Sequence, residues 1–289
     1  MQGVLWSIMA LGVYVTFRLL NFADMTCDGS FTLGAAVSAV WIDSGHSPFI
    51  SLILAISAGA VAGLVTGFFN TRMKIPQLLA GILTQIALYS INLRVMGKSN
   101  IALLSVETLF TRFQTLLGIE ENQSALLLGL IVVIAIIGLM YYFFGTEIGS
   151  MIRASGQNPG VVRALGCSTQ RCTMIALVIG NALIACSGAL VAQNQGYADI
   201  DMGPGTIVIG LAAIIIAEVI FPQRHFAITL TSVVIGSVLY RMIIALLLAI
   251  GLKTQDMKLC TALIVAFALY LPILKRKRIP GERKVASND

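Results

Sequence analysis

The chain has 289 residues, of which 57% are hydrophobic and only 11% are charged, and its mean hydropathy is +0.91. A soluble domain carries roughly 25% charged residues, so the composition excludes an ordinary soluble protein and predicts one that crosses a membrane repeatedly. The net charge of +6 does not indicate nucleic-acid binding, because membrane proteins concentrate Lys and Arg on their cytoplasmic side.

Apolar segments recur along the whole chain. We predict an all-α fold, a polytopic transmembrane helical bundle that forms one domain over residues 1–289 and has about nine spans of roughly 20 residues or less. The first segment lacks a basic region and a cleavage site, so we expect it to be retained. The predicted spans are Val4–Leu20, Phe31–Ile42, Phe49–Phe69, Ile75–Met96, Ser124–Phe144, Met174–Ala192, Ile207–Phe221, Phe226–Ala249 and Leu259–Leu274.

Two of these segments, Phe31–Ile42 and Ile207–Phe221, are too short to cross a bilayer alone. Each follows a polar segment that contains glycine. Irregular backbone survives at membrane depth only where it is buried in protein or lines an aqueous cavity. We therefore expect both breaks either to be buried in protein or to line an aqueous cavity.

The distribution of Lys and Arg predicts the orientation. The loop at 145–171 and the tail at 275–289, which begins with the run KRKR, carry many of the basic residues. By the positive-inside rule both are cytoplasmic. With an odd number of spans, the N-terminus is then outside.

Two spans carry residues with a predicted role in packing or transport. Gly59, Gly63 and Gly67 recur every four residues, a pattern that lets a second helix approach closely. The next span contains Gln85 near its middle and Asn92 towards its end. An amide is costly in lipid, so Gln85 either bonds to another helix or lines a water path. Further on, residues 98–123 predict an amphipathic helix on the outer surface or a contact for an external partner.

The longest polar run between two apolar segments is Gly145–Arg171. Asn158 suits an N-cap, Pro159 suits the first helical position, and Gly166 suits the residue after a helix end. These signals predict a short capped helix rather than a slack linker. A rigid helix held between two membrane spans favours binding by a partner.

A weak internal repeat relates the two halves of the chain. Asn21–Ala36 reads NFADMTCDGSFTLGAA, and Gly196–Ala213 reads GYADIDMGPGTIVIGLAA. The two copies precede the two short spans and enter from opposite faces, as in an inverted-topology repeat; chance similarity is the alternative. If the repeat is real, its polar residues lie near the mouths of a central pathway: Asn21, Asp24, Asp28, Asp199 and Asp201.

The sequence contains no P-loop, no zinc-protease motif and no nucleophile elbow, and its two histidines fall in different loops. The five cysteines have no paired zinc spacing. We expect no metal, no cofactor and no catalytic residue. Glu218 is expected to pair with Arg224. Arg241 lies deep in a span, where it either extends to the membrane surface or meets a substrate carboxylate.

Three stretches together resemble the permease subunits of bacterial ABC importers, in the group for branched-chain amino acids, ribose and nucleosides. They are NFADMTCDGSFTLGAA, the central loop with its pattern G-x-x-x-R-A-x-G-x-N-x-x-x-x-x-A-x-G, and GPGTIVIGLAAIIIAE. Within that group the chain is most similar to permeases for amino acids, including aromatic ones. Ala217 stands where the family pattern leads us to expect glycine.

The resemblance implies that the central loop is a coupling helix, which docks on a separate cytosolic ATPase and transmits its closure to the spans. It also implies a second permease subunit, identical or different, a substrate-binding protein outside, and a location in the bacterial inner membrane. The residues that carry coupling are then Glu147, Gly149, Arg153, Ala154, Gly156, Asn158, Ala164 and Gly166. The candidate pathway residues are Asn21, Asp24, Asp28, Gln85, Asn92 and Arg241.

Two other transport mechanisms remain open at this point. An ion-coupled secondary transporter would work alone, but it would need an acidic residue near the membrane midplane, and Asp24, Asp28 and Glu218 are expected nearer the ends. A passive channel lacks a recognisable filter sequence. An ABC permease for sugars or nucleosides differs from the first interpretation only in its substrate.

Overall fold

The computed structural model describes residues 1–104, 106–118, 120–221, 225–250 and 259–266, and within them the chain is almost entirely helical. The helices are α1 (Gln2–Val13, continued by a π-helical segment Tyr14–Leu19), α2 (Thr26–Asp43), α3 (Pro48–Thr71), α4 (Gln77–Met96), α5 (Leu109–Leu117), α6 (Glu121–Gly145), α7 (Glu147–Gln157), α8 (Pro159–Ala164), α9 (Thr169–Gln195), α10 (Thr206–Ile220) and α11 (Phe226–Ala249). Strands β1 (Asn100–Ala102) and β2 (Tyr197–Asp199) pair antiparallel, and a short 3₁₀ segment, Ile200–Met202, follows β2.

Seven helical segments in the described part of the chain are long and apolar enough to cross a membrane. They coincide with seven of the predicted spans. The predicted span Phe31–Ile42 forms most of α2, which is enclosed by α3, α4 and α9 and is buried along nearly its whole length. The predicted span Leu259–Leu274 and the tail at 275–289 lie largely or wholly outside the described residues.

Close packing of α3 on α9 forms the centre of the bundle. A Cβ at Gly59 would overlap the backbone of Asn181, and one at Gly63 would overlap the carbonyl of Leu177. Gly67 faces Met174. Small residues at these positions bring the two backbones close enough for dispersion forces to hold them, as the spacing of four predicts.

The two halves of the chain pack reciprocally. Helix α3 packs on α9 while α11 packs on α1, and α2 packs on α3 while α10 packs on α11. Helix α1 runs antiparallel to α9, since Ser187 Oγ donates to the carbonyl of Leu5 (2.8 Å) and Gly12 faces Gly180. The exchange of partners between α1–α3 and α9–α11 is the contact pattern that an inverted repeat produces.

The bundle has two distinct ends. The β1–β2 end holds α5, the start of α1 and the C-terminal ends of α2 and α9, and the opposite end, which we call the α7–α8 end, holds both short helices of the central loop. At the β1–β2 end, Thr108 caps α5 and the backbone N–H of Leu109 donates to Gln193 Oε1 (3.0 Å). The structure thus confirms a helix within residues 98–123 and packs it on α6.

Candidate functional site

Asp28 joins the two helices that begin inside the protein. It lies in the first turn of α2, and its carboxylate accepts hydrogen bonds from the backbone N–H groups of Gly205 (2.9 Å) and Ile207 (3.0 Å) and from the hydroxyl of Thr206 (2.8 Å). These groups form the start of α10, whose free N–H groups and positive dipole end favour a carboxylate. A Cβ at Gly203 would overlap the carbonyl of Asp28, so glycine is needed there for this approach.

A groove of about 390 Å³ lies between α2 and α4, beside this junction. It brings together three of the six predicted pathway residues, Asp28, Gln85 and Asn92. Asn92 is 1% exposed, and its Nδ2 donates to the carbonyl of Gly29 (3.2 Å). Its Oδ1 is buried and has no hydrogen-bond partner among the residues that the structure describes. The rest of the wall comes from the following residues: Gly29, Thr32, Ile86, Tyr89, Ser90, Ile200 and Pro204.

Asp24 and Asp199 occupy matching places in the repeat and make matching hydrogen bonds. Each accepts, through Oδ1, the backbone N–H two residues further on, at 2.9 Å and 2.8 Å. Each accepts, through Oδ2, an amide from another segment: Asn181 Nδ2 at 2.7 Å for Asp24, and Asn100 Nδ2 at 3.0 Å for Asp199. The aromatic-Ala-Asp motif therefore folds in the same way twice. Asp24 is buried in these bonds and does not line the groove.

The two remaining pathway candidates lie away from the groove. Asn21 is exposed and adopts a left-handed backbone conformation (φ 57°) where the chain turns between α1 and α2. Arg241 stacks its guanidinium on the ring of Trp6, 3.8 Å from the ring centroid, beside a cavity of about 300 Å³ at the start of α1. Asp28, Gln85 and Asn92 thus form one site, and Arg241 belongs to a second place in the fold.

The central loop folds as two helices that meet at Asn158. Its Oδ1 accepts the N–H groups of Gly160 (3.1 Å) and Val161 (3.2 Å), Pro159 begins α8, and Gly166 has φ +78° after it. The structure confirms the predicted capped helix. Its polar and small residues stand free on the surface of the α7–α8 end: Glu147, Ala154, Asn158, Ala164 and Gly166.

The other residues assigned to coupling face the bundle. A Cβ at Gly149 would overlap the backbone of Phe143 and Phe144, and one at Gly156 would overlap the carbonyl of Leu19. The guanidinium of Arg153 lies over the ring of Phe226, 5.2 Å from its centroid. These contacts fix α7 against α1, α6 and α11. Large changes at Gly156 would therefore disturb the fold as well as any docking surface.

Most of the sequence matches the model of one protein family. Residues 1–271 match the family described as branched-chain amino acid transport system / permease component. The chain belongs to this family. Its members are permeases rather than enzymes, and the chain is the permease subunit of an ABC-type transport system. No solved structure gives a significant match.

Curated relatives of this permease cover most of its length. A tyrosine transport system permease protein of Clostridioides difficile is 40% identical over 91% of this chain and 86% of its own length. An uncharacterised protein of Rickettsia prowazekii is 34% identical over 93% of this chain and 94% of its own length. A probable branched-chain amino acid transport permease of Methanocaldococcus jannaschii is 24% identical over 76% of this chain and 71% of its own length.

Several buried polar residues of the permease escaped the sequence reasoning. Asn181 and Gln193 lie in the apolar helix α9, and Gln193 Nε2 donates to Ser38 (2.9 Å) and Ser51 (3.2 Å). Glu218 pairs with Arg18 (2.6 Å), whereas its expected partner Arg224 lies outside the described residues. The amides of Asn181 and Gln193 could have been recognised from the sequence, because a polar group within an apolar span needs a partner inside the protein.

Proposed function

We propose that this permease carries amino acids across the bacterial inner membrane, and that its helix α8 docks on a cytosolic ATPase. The substrate class is supported by the names of two relatives, one for tyrosine and one for branched-chain amino acids. An ion-coupled transporter that works alone is not favoured, because the family is that of transport-system permease components.

The observation that carries the coupling proposal is the surface of α8. Val161 in α8 is 52% exposed, and Leu165, the residue that follows α8, is 76% exposed. Both lie on the loop between the membrane spans α6 and α9. Neighbouring apolar side chains that project from a rigid element provide a surface suited to a protein contact. Arg163 is exposed beside them and adds a charge that a partner can recognise. A cytosolic ATPase is the partner that the ABC-type family implies.

We propose that α4 faces the second permease subunit, with the groove opening onto the interface. Tyr89 and Ser90 are exposed on α4, and Gln85 is half-buried. Polar groups are costly against lipid, whereas a second subunit would enclose them in a shared pathway. From the positive-inside rule we further propose that the N-terminus and the β1–β2 end lie outside, facing a substrate-binding protein, and that the α7–α8 end lies in the cytoplasm.

Substitutions on α8 test the coupling proposal. We expect Val161→Asp and Leu165→Asp to abolish co-purification of a P-loop ATPase from native membranes in mild detergent, because each puts a charge into the apolar contact. Leu104→Asp is the matched control, since Leu104 is 87% exposed at the opposite end of the bundle. Retention of the ATPase by both α8 variants, or its absence from the wild-type preparation, would contradict the proposal.

A further inference from the structure

We propose that the groove between α2 and α4 binds the ammonium group of the transported molecule, and that Asn92 Oδ1 accepts its hydrogen bond. This inference rests on the proposed function, because it takes the groove to be part of the pathway. It adds the chemical feature of the substrate that the permease itself recognises. A primary ammonium is both a cation and a hydrogen-bond donor, and the groove offers a counterpart to each property.

The first counterpart is the free oxygen of Asn92. Its Nδ2 donates to the carbonyl of Gly29 at 3.2 Å, and this bond fixes the amide, because a flipped amide would set two acceptor oxygens against each other. Oδ1 is therefore an acceptor in a side chain that is 1% exposed, without a partner in the described part of the chain. A buried acceptor without a donor is costly, so the arrangement calls for a donor from a ligand.

The second counterpart is the charge of the groove. Among its described lining residues, Asp28 is acidic and none is basic. Both oxygens of Asp28 are engaged by the start of α10, so this carboxylate acts at a distance rather than as a direct ligand. The dipole of α10 offsets about half of one charge. The remaining negative potential is weakly screened inside a protein, so it favours a cation and disfavours an anion.

The groove also suits the size of a small amino-containing molecule. Its volume of about 390 Å³ lies near the lower end of the range for small-molecule sites, roughly 300–1,000 Å³. The half-buried Gln85 and the exposed Tyr89 stand along its wall. Tyr89 provides an apolar ring face for a side chain while the ammonium points to Asn92.

Protection of a cysteine placed in the groove tests the inference without transport. Ser90→Cys would be labelled with a neutral maleimide in native membrane vesicles, with the wild-type chain as the background for its own cysteines. Three probes would compete: tyrosine, tyramine, which lacks the carboxylate, and 3-(4-hydroxyphenyl)propionate, which lacks the ammonium. We expect tyrosine and tyramine to slow labelling and the propionate to leave it unchanged.

Variants of Asn92 in the Ser90→Cys background identify the acceptor. Asn92→Leu keeps the size of the side chain but removes Oδ1, and we expect protection by tyramine to weaken roughly tenfold, as for the loss of a charge-assisted hydrogen bond. Asn92→Asp gives up the bond to the carbonyl of Gly29 but keeps an acceptor and adds a negative charge, so in a folded variant protection by tyramine should strengthen. The thermal unfolding of each variant in detergent shows whether it folds.

Any of three results would overturn the inference. The propionate could protect as well as tyramine, tyramine could fail to protect, or protection could be unchanged in a folded Asn92→Leu variant. If Asn92→Leu does not fold, Asn92→Asp decides, because unchanged or weaker protection by tyramine in that folded variant would also overturn the inference. These outcomes are separate from those of the proposed function. If the chain co-purifies with an ATPase but shows no ammonium-dependent protection, the proposed function stands and the inference fails. If it shows that protection but no ATPase co-purifies, the inference stands and the coupling proposal fails.

Discussion

At the scale of single residues, Asp28 links the first turn of α2 to the start of α10. It binds three groups at the start of α10, which would otherwise leave free N–H groups inside the membrane. Without water, each such group is costly. The junction of the two broken helices therefore depends on one carboxylate.

We predict that Asp28→Ala lowers the free energy of unfolding by roughly 3 kcal/mol, because hydrogen bonds to a buried charged group are lost and the donors of α10 remain unpaired. Asp28→Asn keeps one acceptor oxygen and should lose less. Asp43→Ala is the control, since Asp43 is exposed at the other end of the same helix. Denaturation in mixed detergent micelles measures the difference, and equal stability of the two alanine variants would refute this role.

Sequence reasoning found Asp28 but not its partners. The aromatic-Ala-Asp repeat identified both breaks in the sequence. The helices that begin inside the protein, α2 and α10, start close after the two copies of this motif. Asp28 and Ile207 are 179 positions apart in the chain, and only the packing of α2 beside α10 brings them together. Asn181 was missed for the same reason, because its partner Asp24 is 157 positions away.

At the scale of helices, the spans were predictable wherever lipid determines their composition. Helices α6 and α3 keep much of their surface outside the bundle, so their length and hydropathy follow the bilayer. Helix α2 differs, because protein encloses it and its sequence carries Asp28, Ser30 and Thr32 among apolar residues. The hydropathy of the sequence therefore underestimated the length of α2, which begins five residues before the predicted span.

A pair of glycine substitutions separates close helix packing from helix propensity. We predict that Gly63→Val lowers the free energy of unfolding by roughly 1–3 kcal/mol, because its side chain would overlap the carbonyl of Leu177 and push α3 from α9. Gly138 lies in α6 with no atom near its missing Cβ, so Gly138→Val should be neutral or stabilise by up to about 0.5 kcal/mol. A similar loss of unfolding free energy in both variants would show that overlap with α9 is not what destabilises Gly63→Val.

At the scale of the whole molecule, the repeat relates two halves that point in opposite directions. Asp24 makes its bonds to α9 within the core, and Asp199 makes the same bonds to Asn100 at the β1–β2 end. Sequence similarity alone left chance as an alternative. The matching turns and the reciprocal packing of α1–α3 with α9–α11 support a common origin for the two halves. Two halves inverted in this way present matching elements to opposite faces of the membrane, which is the symmetry that alternating access uses.

The orientation of this repeat in the membrane is the prediction with the widest consequences, because it decides which end meets the ATPase. We would place single cysteines at Thr115, exposed on α5, and at Gln170, exposed at the start of α9, in a chain whose five native cysteines are replaced by alanine. The positive-inside rule puts Thr115 outside and Gln170 inside. A membrane-impermeant maleimide should then label Thr115→Cys in spheroplasts and Gln170→Cys only after permeabilisation.

The two sites control for each other, since both are exposed and lie at opposite ends of the bundle. The reverse pattern would place α8 outside, where no ATP-driven subunit can act on it, and would remove the physical basis of coupling through the central loop. It would also turn the β1–β2 end towards the cytoplasm, away from any extracytoplasmic binding protein. The expected pattern leaves α8 as the element through which a cytosolic motor can move α7. Through α7 the motor can move α6, the π-helical end of α1 and, by way of Arg153 on Phe226, α11.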